Sequence, residues 1–246
     1  VAGTNDVGSM HINRTINGIA AGAKIKAVVA GSETTEVYPH MEYVVLEDSP
    51  LKEGTDIIGK KVGIVALGGC NEYTPYEYLK KYTGVTDPKN QFEIVTVPNG
   101  NEETVLRTGQ VDVIGIHGLV EEVFSPGGVR VLFDDYDVWE GIGGATPFYF
   151  RTDFIEENPD AVRRFVSAMA RAGNWANDNR EEARKLHAER LGVDLGRVSS
   201  MYTAKDGIIK PESIQVWIDT LKEYGEVKAD IPLETVYTNE FNEFAQ

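Results

Sequence analysis

The chain has 246 residues, a net charge of −15 at pH 7 and 41% hydrophobic residues. This composition is typical of a globular protein and argues against a disordered chain. The acidic charge disfavours nucleic acid and anionic membranes as partners, because binding either requires clustered lysine and arginine. No apolar run approaches the roughly 18 residues that span a bilayer. The single cysteine, Cys70, allows neither an internal disulfide nor a cysteine cluster.

Short β-branched segments alternate with helical patterns in the first part of the chain. Strands are predicted at residues 24–30, 61–66, 93–97, 111–116 and 129–133, and helices at residues 6–21, 74–82 and 102–108. This alternation predicts βαβ units, with a parallel sheet that is covered on both faces.

Two further segments, residues 41–46 and 147–151, are extended and end in turn signals. They bracket the middle of the chain, and a block inserted between two crossing strands is how a two-lobed hinge protein is built. We therefore expect an inserted α/β lobe at residues 49–146. The other lobe would be discontinuous and consist of residues 1–48 with residues 147–246.

Helical patterns dominate the rest of the chain. Pro159 suits the first turn of a helix, with Asn158 as its N-cap. Apolar residues recur at helical spacing from Ala161 to Ala176, which predicts packing in the core rather than a cofactor site. Further helices are predicted over residues 180–191 and from Pro211 onward.

Three segments of the chain resemble a known family. Residues 48–64 read DSPLKEGTDIIGKKVGI, residues 106–116 read LRTGQVDVIGI, and residues 158–175 read NPDAVRRFVSAMARAGNW. In this order they are similar to segments of periplasmic solute-binding proteins of the nitrate, sulfonate and taurine type, the NMT1/THI5-like family. The resemblance implies an α/β, two-lobed type II periplasmic binding protein fold, with parallel or mixed sheets and a ligand cleft between the lobes.

The resemblance also bears on the start of the chain, because family members open with a strand and a helix that precede the segment matched by residues 1–5. We expect a chain without them to bind its solute weakly, and to associate through an exposed sheet edge or represent a remnant of a longer protein.

The function implied by the resemblance is transport. The chain would capture a small organic solute, sulfonate-like, taurine-like or related, and deliver it to the membrane permease of an ATP-driven ABC transporter. Its location would be the periplasm, or the outer face of a Gram-positive membrane through a lipid anchor. No cofactor, metal or catalytic residue is expected.

Two alternatives remain open. One is a sensory domain, which would normally be fused to signalling segments. The other is an enzyme on the same fold, of the sulfinate-processing or thiamine-pyrimidine type. Such an enzyme needs a reactive Cys or His cluster, and the sequence assigns no partner to Cys70 and no metal-ligand spacing to its four scattered histidines.

Ligands of open α/β sheets bind at the carboxyl ends of strands, where helix N-termini present unpaired N–H groups. Five loops fit this description and supply the candidate ligand-binding residues Gly3, Thr4, Asn5, Gly31, Ser32, Gly69, Cys70, Asn71, His117, Ala145 and Thr146. The loop at residues 68–71 is either a backbone nest for a polar ligand group or a tight turn. Thr4 and Asn5 either cap a helix or contact the ligand, and His117 is either a ligand contact or a core residue.

Charged and aromatic residues flank these loops. Four glutamates lie at or just beyond the predicted strand ends, and they are Glu33, Glu72, Glu121 and Glu122. No lysine or arginine lies in the same loops, so we expect an amine, zwitterionic or neutral polar ligand rather than a bare inorganic anion. Four aromatic residues either stack on the ligand or pack in the core, and they are Tyr38, Tyr73, Tyr76 and Trp139.

Overall fold

The structure, a computed structural model, describes residues 4–199 and 201–245, apart from the side chain of residue 197. The chain divides into two compact units. Unit 1 consists of Val1–Thr34, Ile142–Glu182 and Tyr202–Gln246, and unit 2 consists of Thr35–Gly141 and Ala183–Met201. Each unit has its own sheet.

The described residues form eight strands and ten α-helices. The strands are β1 (Val7–Ser9), β2 (Ile25–Ser32), β3 (Met41–Leu46), β4 (Lys61–Ile64), β5 (Glu93–Thr96), β6 (Val113–His117), β7 (Val129–Asp134) and β8 (Thr146–Arg151). The helices are α1 (Ile12–Ala20), α2 (Cys70–Thr83), α3 (Glu102–Arg107), α4 (Val120–Val123), α5 (Asp135–Trp139), α6 (Thr152–Glu157), α7 (Pro159–Asp178), α8 (Arg180–Leu191), α9 (Pro211–Glu223) and α10 (Leu233–Val236).

Unit 1 contains a three-stranded antiparallel sheet in the order β1-β8-β2. Helix α7 begins at Pro159 after Asn158, as the sequence predicts. Its apolar stripe is buried against this sheet, where Val162 and Val166 pack with Val28 and Phe150. The predicted core role of the stripe therefore holds for Val162 and Val166, whereas Trp175 at its end is 42% exposed.

Unit 2 contains a five-stranded mixed sheet in the order β5-β4-β6-β3-β7. Strands β5, β4 and β6 are parallel, and β3 is antiparallel to both β6 and β7. The α/β class with mixed sheets is confirmed. The carboxyl ends of β4 and β6 lie at the same end of the sheet as the start of β3, and this region is called the β3–β4–β6 end below.

Two details differ from the sequence prediction. Residues 7–9 form strand β1 rather than the first turns of a helix, because they pair with β8 and helix α1 begins only at Ile12. Strand β3 lies in the sheet of unit 2, since it pairs with β6 and β7. The first division between the units therefore falls after Thr34, where the sequence analysis placed it after residue 48.

None of the helices in the described part of the chain combines the length and the hydrophobicity that a bilayer span requires.

Candidate functional site

Three strand ends bring a thiol and two imidazoles together in unit 2. Cys70 is the first residue of α2, which follows β4, and His117 ends β6. His40 directly precedes β3, and the antiparallel register pairs Met41 with His117. The backbone N–H of Gly118 donates to the carbonyl oxygen of His40 at 2.9 Å, which fixes the two histidines side by side.

The resulting cluster is tight. The Sγ atom of Cys70 lies 3.5 Å from Nε2 of His117 and 3.7 Å from Nε2 of His40. The two imidazole rings are 5.2 Å apart and nearly perpendicular. Cys70 and His40 are each 4% exposed. The sequence prediction that the chain has no Cys–His cluster is wrong, because the three residues are 30 and 47 positions apart and only the strand register joins them.

Asn71 lies beside the cluster in the first turn of α2 and is 1% exposed. Its backbone carbonyl accepts a hydrogen bond of 2.8 Å from the hydroxyl of Tyr43. Its side-chain Nδ2 is buried and has no hydrogen-bond partner among the described residues. Glu72 turns back onto the preceding loop, where its Oε2 accepts from the N–H of Gly68 at 2.5 Å. The chain's own carboxylate thus occupies part of the predicted backbone nest.

Burial governs the ionisation of groups at the β3–β4–β6 end of the sheet. Desolvation raises the pKa of Glu42 to about 7, although the Val120 N–H donates to its carboxylate at 2.7 Å. Burial raises the pKa of Tyr43 well above its ordinary value, and it lowers the pKa of His117. Lowering the pKa of His117 favours its neutral form, which offers a ring nitrogen lone pair at neutral pH.

His117 also lines a cavity of about 590 Å³ within unit 2. Among the other residues around it are Asn99, Glu103, Phe124 and Ser125. This volume falls in the range of small-molecule pockets, roughly 300–1,000 Å³. The sequence analysis identified His117 but none of the other four, which come from loops and short helices without a recognisable motif.

In unit 1 the predicted residues Ser32 and Thr146 are direct partners across β2 and β8. Ser32 Oγ and Thr146 Oγ1 are both buried and have no hydrogen-bond partner among the described residues. Together with Ala145 they line a cavity of about 20 Å³, roughly the space of one water molecule. Gly31 must be glycine here, because a Cβ would collide with the carbonyl oxygen of Thr146.

A hydrogen bond from helix α9 anchors the loop that precedes β8. The Nε1–H of Trp217 donates to the carbonyl oxygen of Gly143 at 2.7 Å. The Nε2 of His11 lies 3.1 Å from the same oxygen, and the His11 and Trp217 rings meet edge to face at 4.9 Å. This anchor sets the position of the segment that leads into Ala145 and Thr146.

Two of the four glutamates that flank the predicted loops have cationic partners from distant segments. In unit 1, Lys210 Nζ lies 2.7 Å from Glu33 Oε2. In unit 2, Arg184 lies 3.5 Å from Glu122, which also accepts a hydrogen bond of 3.0 Å from Ser199. Neither cation lies in the loop of its glutamate, so the lack of lysine and arginine in those loops does not leave these two carboxylates unpaired.

The remaining predicted residues take other roles. Asn5 lines a separate cavity of about 110 Å³ in unit 1, and Thr4 is exposed. Neither caps α1, whose N-cap is His11. Gly3 lies outside the described residues.

The aromatic residues that flank the predicted loops divide by burial. Tyr73 is 1% and Tyr76 is 3% exposed, so both belong to the core, where their rings meet edge to face. Tyr38 and Trp139 are half-buried.

Comparison with known proteins gives one family and a consistent fold. A family model described as NMT1/THI5-like matches residues 1–183. The nitrate/nitrite-binding protein NrtA of Nostoc sp. (strain PCC 7120 / SAG 25.82 / UTEX 2576) is 23% identical over 187 residues. That alignment covers 74% of this chain but only 42% of NrtA, so the chain spans less than half of that relative.

Solved structures share the fold at low sequence identity. The periplasmic aliphatic sulphonate-binding protein SsuA from Escherichia coli superimposes with a TM-score of 0.71 and 21% identity, over 95% of this chain and 75% of SsuA. The desulfurization enzyme DSZB superimposes with a TM-score of 0.64 and 16% identity, over 98% of this chain and 85% of the enzyme. These likenesses establish the fold, which binding proteins and an enzyme have in common.

Proposed function

This chain belongs to the NMT1/THI5-like family, and we propose that it is the solute-binding component of an ABC-type uptake system. It captures a small organic solute outside the cytoplasm and delivers the solute to a membrane permease. Its named relative NrtA is a nitrate/nitrite-binding protein, and SsuA binds aliphatic sulphonates.

One observation carries the proposal. Three of the predicted ligand-binding residues, Ser32, Asn71 and Thr146, each hold a buried polar atom without a hydrogen-bond partner among the described residues. More than about 90% of buried polar groups in folded proteins are paired, because leaving one unpaired costs roughly 1–3 kcal/mol. In unit 1, a polar oxygen of a bound solute would supply the missing partner of Ser32 and Thr146 and offset that cost.

The chemistry of these atoms indicates the solute class. The two hydroxyls of unit 1 are neutral groups, and they suit an oxygen atom of a sulfonate or a similar polar head. Glu72 already accepts from Gly68 in the α2 loop, and Glu33 is already paired with Lys210. At Glu33 the neighbouring cation is already paired, which disfavours a bare inorganic anion there, whereas a taurine-like solute carries its own amine. We therefore propose a taurine-like or other organic sulfonate-like solute.

Replacing Thr146 with valine tests this assignment, because valine keeps the shape and removes the unpaired hydroxyl. We expect the free energy of unfolding of the solute-free protein to rise by about 1 kcal/mol. The affinity for the solute should fall roughly tenfold, the equivalent of about 1.4 kcal/mol. Urea unfolding measures the first quantity and isothermal titration calorimetry the second.

Thr15 provides the matched control. Its hydroxyl is also buried without a partner among the described residues, but it lies on α1 and is not a predicted ligand residue. Thr15→Val should stabilise the protein to a similar extent and leave the affinity unchanged. Equal affinity losses in both variants would show that Thr146 acts on the fold rather than on the solute.

The alternative function is an enzyme on the same fold, and the contact between Cys70 and His117 favours it. A thiol beside an imidazole at a helix start is a recognised nucleophile arrangement. Incubating the protein with aryl sulfinates and alkanesulfonates, followed by mass spectrometry, separates the two functions. A binding protein returns each compound unchanged, whereas turnover abolished by Cys70→Ser would establish the enzyme.

A further inference from the structure

The cavity of about 590 Å³ in unit 2, called the unit 2 cavity below, plays no part in solute capture by the hydroxyls of unit 1. We propose that this cavity binds a small organic ammonium ion, in which the charged amine is attached to an apolar or aromatic body. All the described residues that line the cavity belong to unit 2. The inference goes beyond the proposed transport function and does not depend on it.

Part of the lining is apolar and firmly packed. Ile116, Val123 and Phe124 line the cavity. Ile116 and Phe124 are buried members of a hydrophobic core cluster of unit 2, and Val123 packs against that cluster. Because the core fixes these side chains, they form a wall that exists before a ligand arrives. A carbon body placed against this wall is removed from water, which favours binding.

The charged side chains in the described lining of the cavity are both acidic, and they are Glu102 and Glu103. Glu103 is already neutralised, because its Oε1 accepts from Nε of Arg107 at 2.8 Å and from the N–H of Ser125 at 3.1 Å. Glu102 is half-buried, and its side chain has no hydrogen-bond or ion-pair partner among the described residues. Its carboxylate is therefore the charge that remains for a ligand.

His117 adds no positive charge to the cavity at neutral pH. Burial lowers the pKa of His117, so its imidazole ring is uncharged at pH 7. No lysine or arginine occurs among the described residues that line the cavity. The unit 2 cavity thus combines a negative charge with an apolar wall, and this combination attracts cations and disfavours anions.

The same lining favours an organic cation over a metal ion. Ca²⁺ and Mg²⁺ each require about six oxygen ligands or more, which a single unpaired carboxylate does not provide. An ammonium group is satisfied by one carboxylate and a few neutral acceptors, and the amide oxygen of Asn99 in the lining can be one of these. The ring of Phe124 offers a surface for an apolar body and for the cation itself.

Isothermal titration calorimetry of the full chain at pH 7 with three ligands of similar shape tests the proposal. Benzylamine carries a positive charge, benzyl alcohol is neutral and benzoate carries a negative charge. We expect benzylamine to bind with one-to-one stoichiometry, benzyl alcohol to bind more weakly, and benzoate to show no measurable binding. Glu102→Gln should weaken benzylamine binding roughly fivefold and remove its advantage over benzyl alcohol.

Glu93, an exposed residue of β5 outside the described lining of the cavity, supplies the matched control. Glu93→Gln makes the same change of charge in the same unit and should leave the affinity for benzylamine unchanged. Equal losses in Glu93→Gln and Glu102→Gln would overturn the proposal. Benzoate binding as tightly as benzylamine, or no binding of benzylamine at all, would overturn it as well.

Phe124→Leu tests the apolar wall and should weaken benzylamine binding roughly threefold while the preference for the cation persists. If this variant fails to fold, backbone amide NMR of the wild-type protein locates the ligand. Chemical shift changes at Gly100 and Ser125, which both line the cavity, support the site. Changes confined to residues outside the lining contradict it.

Discussion

Replacing Trp217 with alanine should lower the free energy of unfolding by about 3–5 kcal/mol, as is usual when a large buried aromatic side chain is removed. Trp217 is 0% exposed, and its Nε1–H donates to Gly143 at 2.7 Å. The variant loses the packing of the indole on α9 and also the anchor of the loop that leads to Thr146. Urea unfolding monitored by circular dichroism measures the loss, and the solute affinity should fall with it.

Trp175 on α7 is the matched control, because it is 42% exposed. Trp175→Ala should change the free energy of unfolding by no more than about 0.5 kcal/mol. Trp217→Phe keeps most of the buried ring and removes only the N–H donor, so its loss should be the smaller of the two Trp217 variants. A destabilisation of Trp175→Ala as large as that of Trp217→Ala would show that burial on α9 is not the cause.

Raising the pH from 4.5 to 7 should cost the protein about 3 kcal/mol of stability through Glu42 alone. Burial raises the pKa of this carboxyl from 4.5 to about 7, and the nearby Glu121, Asp134 and Asp135 add repulsion. Between these values the folded state keeps a proton that the unfolded state has lost. Stability from this group is therefore fully present below pH 4.5, falls by about 1.4 kcal/mol per pH unit, and changes no further above pH 7.

Glu42→Gln isolates the effect, because glutamine stays neutral and keeps an oxygen for the Val120 N–H. In chelator-containing buffer, the difference in unfolding free energy between variant and wild type should grow by about 3 kcal/mol from pH 4.5 to 7. A constant difference for Glu42→Gln would mean that Glu42 titrates normally in the folded protein.

Local patterns predicted most of the secondary structure but not the assignment of strands to sheets. Strand β3 occupies residues 41–46, as the sequence indicates, and α8 occupies residues 180–191. The sequence could not show that β3 pairs with β6 and β7, because partner choice depends on contacts 70 or more residues away along the chain. Residues 7–9 were mistaken for helix for the same reason, since only pairing with β8 makes them a strand.

The candidate site could likewise be predicted only in part from local sequence patterns. The rule that ligands bind at strand ends selected Ser32, Asn71 and Thr146, and each proves to hold a buried unpaired polar atom among the described residues. His40 was missed because it precedes a strand, so the same rule passes over it. Its position beside Cys70 depends on the antiparallel register of β3 with β6, and no spacing in the sequence encodes that register.

Isothermal titration calorimetry of the full chain with taurine, short alkanesulfonates, nitrate and sulfate tests the central proposal most directly. Solute capture through neutral buried groups predicts that one organic sulfonate binds with one-to-one stoichiometry and is recovered unchanged. It also predicts that Thr146→Val weakens this binding roughly tenfold while Thr15→Val does not. Absence of binding by every organic sulfonate, or binding that is indifferent to Thr146, would contradict it.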